Sequence, residues 1–269
     1  MKIFLIISAV LLIMCAVAES YIILVTRREK LGDRGITVAH LSDLHKRRFG
    51  KNNCRLIERT KRENPDIIVI SGDIVSRTCT DFSDAEYLLR KLRELAPVYM
   101  VWGNHEKDLS PELLAQFTEA VHRSGAKLLN NRCKSVEING RKLNICGLTL
   151  PQTVYKKDGK YRNLNVPTAD EITALIGEKP DGETLLITHN PLFAKLYSGW
   201  GADFSFCGHV HGGIVIIPFT RIGILSPERK FFPKYSKGVY TIGRMKLLLS
   251  GGLGKRRLFN PAEIVIYKL

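Results

Sequence analysis

Apolar residues in this chain come in short bursts rich in Ile, Val and Leu, each closed by a small or polar residue and then a reactive one. "ITVAHL" runs into Ser42-Asp43-Leu44-His45, and "DIIVI" (66–70) into Ser71-Gly72-Asp73. "VYMV" (98–101) leads through Trp102 into Gly103-Asn104-His105-Glu106. "TLLIT" (184–188) runs into His189-Asn190-Pro191, and "DFSFC" (203–207) into Gly208-His209-Val210-His211. Bursts this short and this β-branched predict buried strands. Ligands of such sheets collect outside the carboxyl ends of the strands. Five strand ends are therefore expected to converge on one site.

Helical patterns lie between the bursts. "DFSDAEYLLRKLREL" carries Leu88, Leu89, Leu92 and Leu95 at helical spacing, with Asp81 or Ser83 placed to cap its start. "PELLAQFTEAVHRSG" begins on a first-turn proline and stops at Gly125. "TADEITALIG" offers a capping box of Thr168 and Glu171. This alternation predicts parallel βαβ units in the first half. In the second half Asn139-Gly140 predicts a hairpin, and "VYTIGRMKLLLS" and "PAEIVIYKL" add strands. The expected fold class is α/β: two stacked mixed β-sheets flanked by helices, preceded by an N-terminal transmembrane helix.

That helix rests on the first residues. Residues 3–18 are apolar apart from Ser8, and continuing through residues 21–25 reaches the roughly 17–25 residues that a spanning helix needs. "AVA" before Glu19 resembles a signal-peptide cleavage site, but only Lys2 and the amino terminus supply charge ahead of it. The reading adopted is an uncleaved anchor over residues 1–26 and one catalytic domain over 33–269. Arg27, Arg28, Lys30 and Arg34 follow the apolar run, which places that domain in the cytoplasm. Cys54, Cys79, Cys133, Cys146 and Cys207 are odd in number, scattered and without CxxC spacing, and read as free thiols. With 41 Lys and Arg against 26 Asp and Glu, the net charge of +15 favours anionic partners. The basic residues are scattered and no aromatic stacking motif accompanies them, so no specific nucleic acid is expected.

The strand ends collect Asp43, His45, Asp73, Asn104, His105, His189, His209 and His211. Of the chain's 7 histidines only His40, read as a core residue, and His122, read as surface, lie outside this set. Carboxylate, amide and imidazole donors without thiolate suit a divalent ion such as Mn, Fe or Zn. In extended backbone alternate residues share a side, so Asp43/His45 and His209/His211 are expected to project in pairs, with Leu44 and Val210 turned into packing. So many donors exceed one ion and suit two, a pair able to clamp the attacking and leaving oxygens of a phosphoryl group. Asp73, mid-series, is the natural bridge.

In this order "SDLH", "SGD", "GNHE", "THNP" and "GHVH" resemble the calcineurin-like metallophosphoesterases, over nearly all of residues 36–269. "SGGLG" and "FNPAEIVIYKL", with the apolar N-terminus, look most like a membrane-associated branch. That branch includes phosphodiesterases and relatives of the UDP-2,3-diacylglucosamine pyrophosphohydrolases. The resemblance implies a four-layer sandwich and two divalent metal ions. One would take Asp43, His45, Asp73 and His211; the other Asp73, Asn104, His189 and His209. It implies that His105 approaches the scissile phosphate and that Glu106 orients it. The implied reaction is hydrolysis of a phosphodiester or pyrophosphate bond by a hydroxide held between the ions. The implied partners are the membrane and a phosphorylated, lipid-linked or UDP-diacylglucosamine-like small molecule. An inactive fold serving as a protein-binding platform and a nuclease are the alternatives; the complete donor set weighs against the first. Lys46-Arg47-Arg48 reads as a solvated turn or an anion clamp, and Lys230, Phe231 and Phe232 as a lip gripping substrate or bilayer.

Overall fold

A computed structural model describes residues 2–157, 163–218, 220, 222–225, 231–255 and 257–269. The first half holds α1 (Lys2–Tyr21), β1 (Leu24–Lys30), β2 (Thr37–Leu41), α2 (Cys54–Lys61), β3 (Ile67–Ile70), α3 (Ser83–Leu95) and β4 (Val98–Met100). After it come α4 (Asn104–Lys107), α5 (Pro111–Ser124), β5 (Lys127–Leu128), β6 (Arg132–Ile138) and β7 (Arg141–Leu148). The remainder is α6 (Ala169–Ile176), β8 (Thr184–Thr188), α7 (Ala194–Trp200), β9 (Phe204–Cys207), β10 (Gly238–Ile242), β11 (Met245–Leu249) and β12 (Ala262–Lys268). All five expected strands are present.

The strands form two six-stranded sheets, ordered β1-β12-β2-β3-β4-β5 and β10-β11-β9-β8-β7-β6. In the first, β2 to β5 run parallel and β12 joins β2 antiparallel. In the second, β7, β8, β9 and β11 run parallel between antiparallel edges β6 and β10. Strand periodicity of two explains the unbroken apolar runs. Val38, Ile67 and Val69 point between the sheets toward Ile145, Ile187, Phe206 and Leu248, while Ile68 and Ile70 point outward beneath Leu56, Leu88 and Phe117. Ile172 and Tyr197 cover the far face of the second sheet. The result is helix, sheet, sheet, helix, as expected.

Local signals act largely as read. Ser110 caps α5 ahead of Pro111, Gly125 ends it in the left-handed region, and Thr168 and Glu171 form their box. At α3 it is the Asp81 carboxylate that accepts from the Ser83 amide, at 2.9 Å. Asn139 and Gly140 take φ of 50° and 76°, the backbone of a tight hairpin turn. His40 is buried, bonds the Ser71 hydroxyl at 2.8 Å and meets Phe206 edge-on. Its burial holds its pKa down to about 3, so it packs as a neutral ring. Trp102 packs at a tilt against Phe117 and belongs to the core rather than to a site wall. His122 is exposed.

Three readings need correction. Cys133 and Cys146 form a disulfide, because the hairpin register sets them directly opposite on β6 and β7; a search for CxxC spacing misses cross-strand partners. Cys15, Cys54, Cys79 and Cys207 are free. The division at residues 26 and 33 cuts through a strand, since β1 pairs along its length with β12. Its alternation is masked by charge: Arg27 is half-buried in a bidentate pair with Glu263. Finally, Arg47 is no solvated turn residue. It is buried over Phe49 and donates to the carbonyls of Ile23 and Gly254 at 2.9 Å each.

Those bonds reach the end of α1, a helix long and apolar enough to cross a bilayer, whose apolar side chains are mostly exposed up to its last turn. There Glu19 and Ser20 are buried against the domain. Glu19 Oε2 accepts from the Asn260 amide at 2.9 Å, and the Ser20 hydroxyl accepts from the Arg257 amide at 3.1 Å. Packing between the sheets makes a direct prediction. Phe206→Ala should lower unfolding free energy by about 3–5 kcal/mol in chemical denaturation. A loss below about 1 kcal/mol would mean that the inter-sheet core does not depend on this ring.

Candidate metal centre

The carboxyl ends of β2, β3, β4, β8 and β9 open on one side of the sandwich, and the turns after them carry the expected donors. The turns after β2, β3 and β9 are not extended. Asp43, His45, Asp73, His209 and His211 have φ of 54°, 53°, 56°, 69° and 53°, a region that side chains other than glycine enter only under constraint. The expected side-by-side projection of Asp43 with His45 and His209 with His211 therefore does not arise from strand alternation. Leu44 and Val210 are nevertheless buried, as anticipated. Backbone bonds hold the strain in place. The amides of Asp43 and His45 donate to the carbonyls of Gly72 and Asp73 at 3.1 Å each, locking the β2 turn to the β3 turn.

The donors converge. Asp43, His45 and His211 bring ligand atoms within 4.8 Å of one another; so do Asp43, Asp73 and His189, and so do His45, Asp73 and His105. Asn104 Oδ1 lies 3.1 Å from His189 Nε2 and 3.1 Å from His209 Nδ1. Asp73 Oδ2 lies 3.3 Å from His189 Nε2 and 3.9 Å from His45 Nε2, between the two groups of donors. His211 Nε2 is 3.5 Å from Asp43 Oδ1. All eight sequence-expected donors thus surround one space.

The donor chemistry fits cations there. His189 Nδ1 donates to the Ser71 carbonyl at 2.7 Å, which leaves Nε2 as a lone pair in the neutral ring. That lone pair faces the oxygens of Asn104 and Asp73 with no hydrogen between them, an arrangement that calls for positive charge. Burial opposes charging His189, yet Asp73 and Asp43 push its pKa up to about 10, so a proton takes the place a cation would fill. Burial likewise opposes ionising Asp73, and His189 and His45 hold it well below the usual carboxylate range. His45 Nδ1 is buried without a partner. Four residues supplied by separate elements, with an amide oxygen and no thiolate, match borderline divalent ions.

His105 and Glu106 behave differently from each other. The Arg77 amide lies 3.3 Å from His105 Nδ1 and donates to it, so Nε2 carries the proton in the neutral ring, on the side facing Asp73. Burial lowers the pKa of His105 to about 4, despite the nearby Asp73. Glu106 does not orient that ring. It is fully buried and accepts from the amides of Asp73, Val75 and Gly103 at 2.9, 3.0 and 2.8 Å, pinning the β3 and β4 turns together. Burial and Asp73 push its pKa up to about 8, against the pull of those three amides. Adjacency in sequence suggested the wrong partner, because in α4 successive side chains diverge.

Sequence reasoning missed Tyr155, a buried ring set edge-on to His209 at 5.1 Å between centroids; it follows no strand end and carried no signal. It also missed how residues 250–254 floor the site, although "SGGLG" was visible. The Leu253 amide donates to the Ser42 carbonyl at 2.9 Å. A side chain on Gly254 would come within 3.3 Å of His45 Cδ2 and 3.5 Å of His211 Nδ1.

A family model for the calcineurin-like phosphoesterases matches residues 36–213, which include every donor named above. The chain belongs to the calcineurin-like phosphoesterase family. Its members hydrolyse phosphoesters with a dinuclear divalent-metal centre, and this chain is by family a metal-dependent phosphoester hydrolase. It is 27% identical over 186 residues to an uncharacterised metallophosphoesterase, YkoQ, of Bacillus subtilis, covering 68% of this phosphoesterase and 63% of that protein. It is 24% identical over 223 residues to the phosphodiesterase YaeI of Escherichia coli, covering 81% and 74%. The 5′-nucleotidase precursor of Thermus thermophilus shares the fold, with a TM-score of 0.51, 17% identity, and coverage of 81% of this chain and 49% of the other. The phosphoesterase thus spans less than two thirds of the Bacillus relative and about half of the Thermus one.

Gly103 gives the sharpest test of this geometry. A Cβ there would overlap Asp73 Oδ1, so Gly103→Ala must displace the carboxylate at the centre of the cluster. Elemental analysis should find metal lost from the variant, and turnover should fall on the order of 100-fold or more, in keeping with misplacement of a reacting group. Full metal content with unchanged turnover would contradict the position assigned to Asp73.

Proposed function

We propose that this phosphoesterase hydrolyses a phosphodiester or pyrophosphate bond in an amphipathic, lipid-linked substrate, UDP-diacylglucosamine-like in its chemistry, at a bilayer surface. One observation carries the reading. Gly254, packed beside His45 and His211, is followed by Lys255, whose ammonium lies 4.8 Å from the ring centre of Tyr21 at the end of α1. Two residues span the distance from metal-donor side chains to the end of the apolar helix. A helix that anchors the chain in a membrane therefore supports a centre that works on phosphates presented at the same level. The anchor and a catalytic domain beginning at β1 form the proposed organisation.

In this reading Asp43, His45, Asp73 and His211 hold one divalent ion and Asp73, Asn104, His189 and His209 the other, with Mn, Fe and Zn the candidates. Bound there, the ions supply the Lewis acidity that orients and neutralises a phosphoryl group. The chain's own groups do the rest. Asp73 Oδ2 stands between both sets of donors, and the His105 amide fixes its other oxygen at 2.8 Å. His209 donates its amide to the Asp43 carboxylate at 3.1 Å, and the Ser42 hydroxyl donates to it at 2.6 Å, so that carboxylate cannot swing away. His105, neutral and with Nε2–H directed inward, donates a hydrogen bond to charge developing on a phosphoryl or leaving-group oxygen. His105→Ala should keep both metals by elemental analysis and lose turnover of bis(p-nitrophenyl) phosphate by about 10²–10⁴-fold, the range of a positioned proton-bearing group. Loss of metal in that variant would make His105 a ligand instead.

Phe231 and Phe232 are strongly exposed, as a lip requires; Lys230 lies outside the described residues. Replacing all three by Ser should reduce hydrolysis of a vesicle-embedded phosphodiester and spare that of bis(p-nitrophenyl) phosphate. Equal, unchanged rates on both would remove the lip from the account.

Opposing observations bear on the side of the membrane. Basic residues after the helix favour the cytoplasm, though half-buried Arg27 pairs with Glu263 and Arg28 pairs with Glu63. The Cys133–Cys146 disulfide favours an oxidising compartment. Cys54 is exposed and free, and a cytoplasmic domain predicts that a membrane-impermeant maleimide labels it only after permeabilisation. Labelling in intact cells would place the domain outside.

A further inference from the structure

The anchor and the metal centre meet at one buried residue. Asn260 is fully buried, and its Nδ2 donates to the carbonyls of His211 and Gly213 at 2.7 and 2.6 Å. Those carbonyls bracket three successive residues in the left-handed region: His211, Gly212 and Gly213, with φ of 53°, 73° and 79°. The two glycines adopt such angles freely, but His211 does so only while its surroundings hold it. Asn260 is the side chain that grips both ends of the turn. Its own Oδ1 accepts from Lys237 Nζ at 3.1 Å, so both functions of the amide are engaged and its orientation is determined.

Asn260 is in turn seated from two directions. The buried Arg257 guanidinium donates to the carbonyls of Gly254, Gly251 and Asn260 at 2.6, 2.8 and 3.3 Å, which sets the loop around the site floor. From the other side comes Glu19, in the last turn of the apolar helix, whose Oε2 accepts from the Asn260 backbone N–H at 2.9 Å. A carboxylate near the end of a would-be spanning segment is expensive to bury unless it is paired. Here it is 7% exposed, accepts a backbone N–H and lies close enough to Arg257 and Lys237 to feel both charges. Its place in the sequence, which interrupts the apolar run, has a reason in this contact.

We propose that Asn260 is a positioning residue for His211 and that Glu19 of the anchor positions Asn260, so that occupancy of one of the two metal positions depends on the last turn of α1. This rests on the reading of His211 as a metal ligand. It makes the helix a part of the catalytic centre as well as a tether. The asymmetry is specific: His211 belongs to one donor set only, so the relay acts on one ion and leaves the ion near Asn104, His189 and His209 alone.

The test uses the full chain in detergent micelles, titrated with Mn²⁺ and followed by calorimetry, with thermal unfolding of each variant as a control. His211→Ala identifies which of two binding steps the His211 position controls. Asn260→Ala should weaken that same step by about 10- to 100-fold, the usual effect of losing a partner that orients a ligand, and leave the other step within twofold. Glu19→Ala should weaken the same step by a smaller factor and Glu19→Gln, which keeps an acceptor oxygen, should restore it. On bis(p-nitrophenyl) phosphate, kcat should follow the weakened step, with KM nearly constant. Both steps weakened equally together with a lowered unfolding temperature would make these residues merely structural and overturn the proposal. So would two unchanged steps. Fewer than two ions bound by the unaltered chain would instead overturn the reading of the metal centre itself.

Discussion

Asp43 and Asp73 are two buried carboxylates facing the same space, and they cannot both remain charged there without positive charge between them. Much of the surrounding structure answers that requirement. Imidazoles approach from four places, the turn after β2, α4 and the turns after β8 and β9, and against its burial the acids raise the pKa of His189 to about 10, so that a proton can stand where positive charge is needed. A divalent ion at each donor set would resolve the same repulsion with two charges apiece. The metal-binding character of the site is therefore a consequence of where two acids are buried.

Burying them together demands a particular backbone. Extended backbone does not supply it: after β2, β3 and β9 the chain turns through left-handed residues, Asp43, His45, Asp73, His209 and His211, that carry the donors inward. Five such residues would relax if the turns were independent, but they are cross-bonded. Glu106 ties the β3 turn to the β4 turn, the Asp43 and His45 amides tie β2 to β3, and Asn260 closes the turn after β9. The outer chain contributes as well. Arg27 on β1 pairs with Glu263, Glu263 accepts the Gly251 amide at 2.7 Å, and that loop floors the site. Stability and chemistry thus share residues, and the edge strand next to the anchor is part of the support.

How much of this could be read beforehand follows from the range of each interaction. The strands, capping boxes and hairpin are local patterns of apolar period and turn chemistry, and Val38, Thr168 and Asn139 declare them within a few residues. The donors were legible because strand ends meet donors in sequence, and His189 and His209 needed no partner to be recognised. What failed was long-range or geometric. Cys133 and Cys146 become partners only once the hairpin register is set. Glu106 lies beside His105 in the chain yet serves three amides elsewhere. Arg27 and Arg47 read as surface charges because nothing in a basic stretch reveals a buried acceptor. Tyr155 reaches the site from a turn with no pattern at all.

The central claim is that two ions share Asp73. Electron paramagnetic resonance of the full-length chain loaded with two equivalents of Mn²⁺ tests it most directly, because ions bridged by a carboxylate a few ångströms apart couple their spins. The account predicts a coupled two-ion spectrum that Asp73→Asn abolishes. Two uncoupled, single-ion signals, or one ion per chain at saturation, would contradict it.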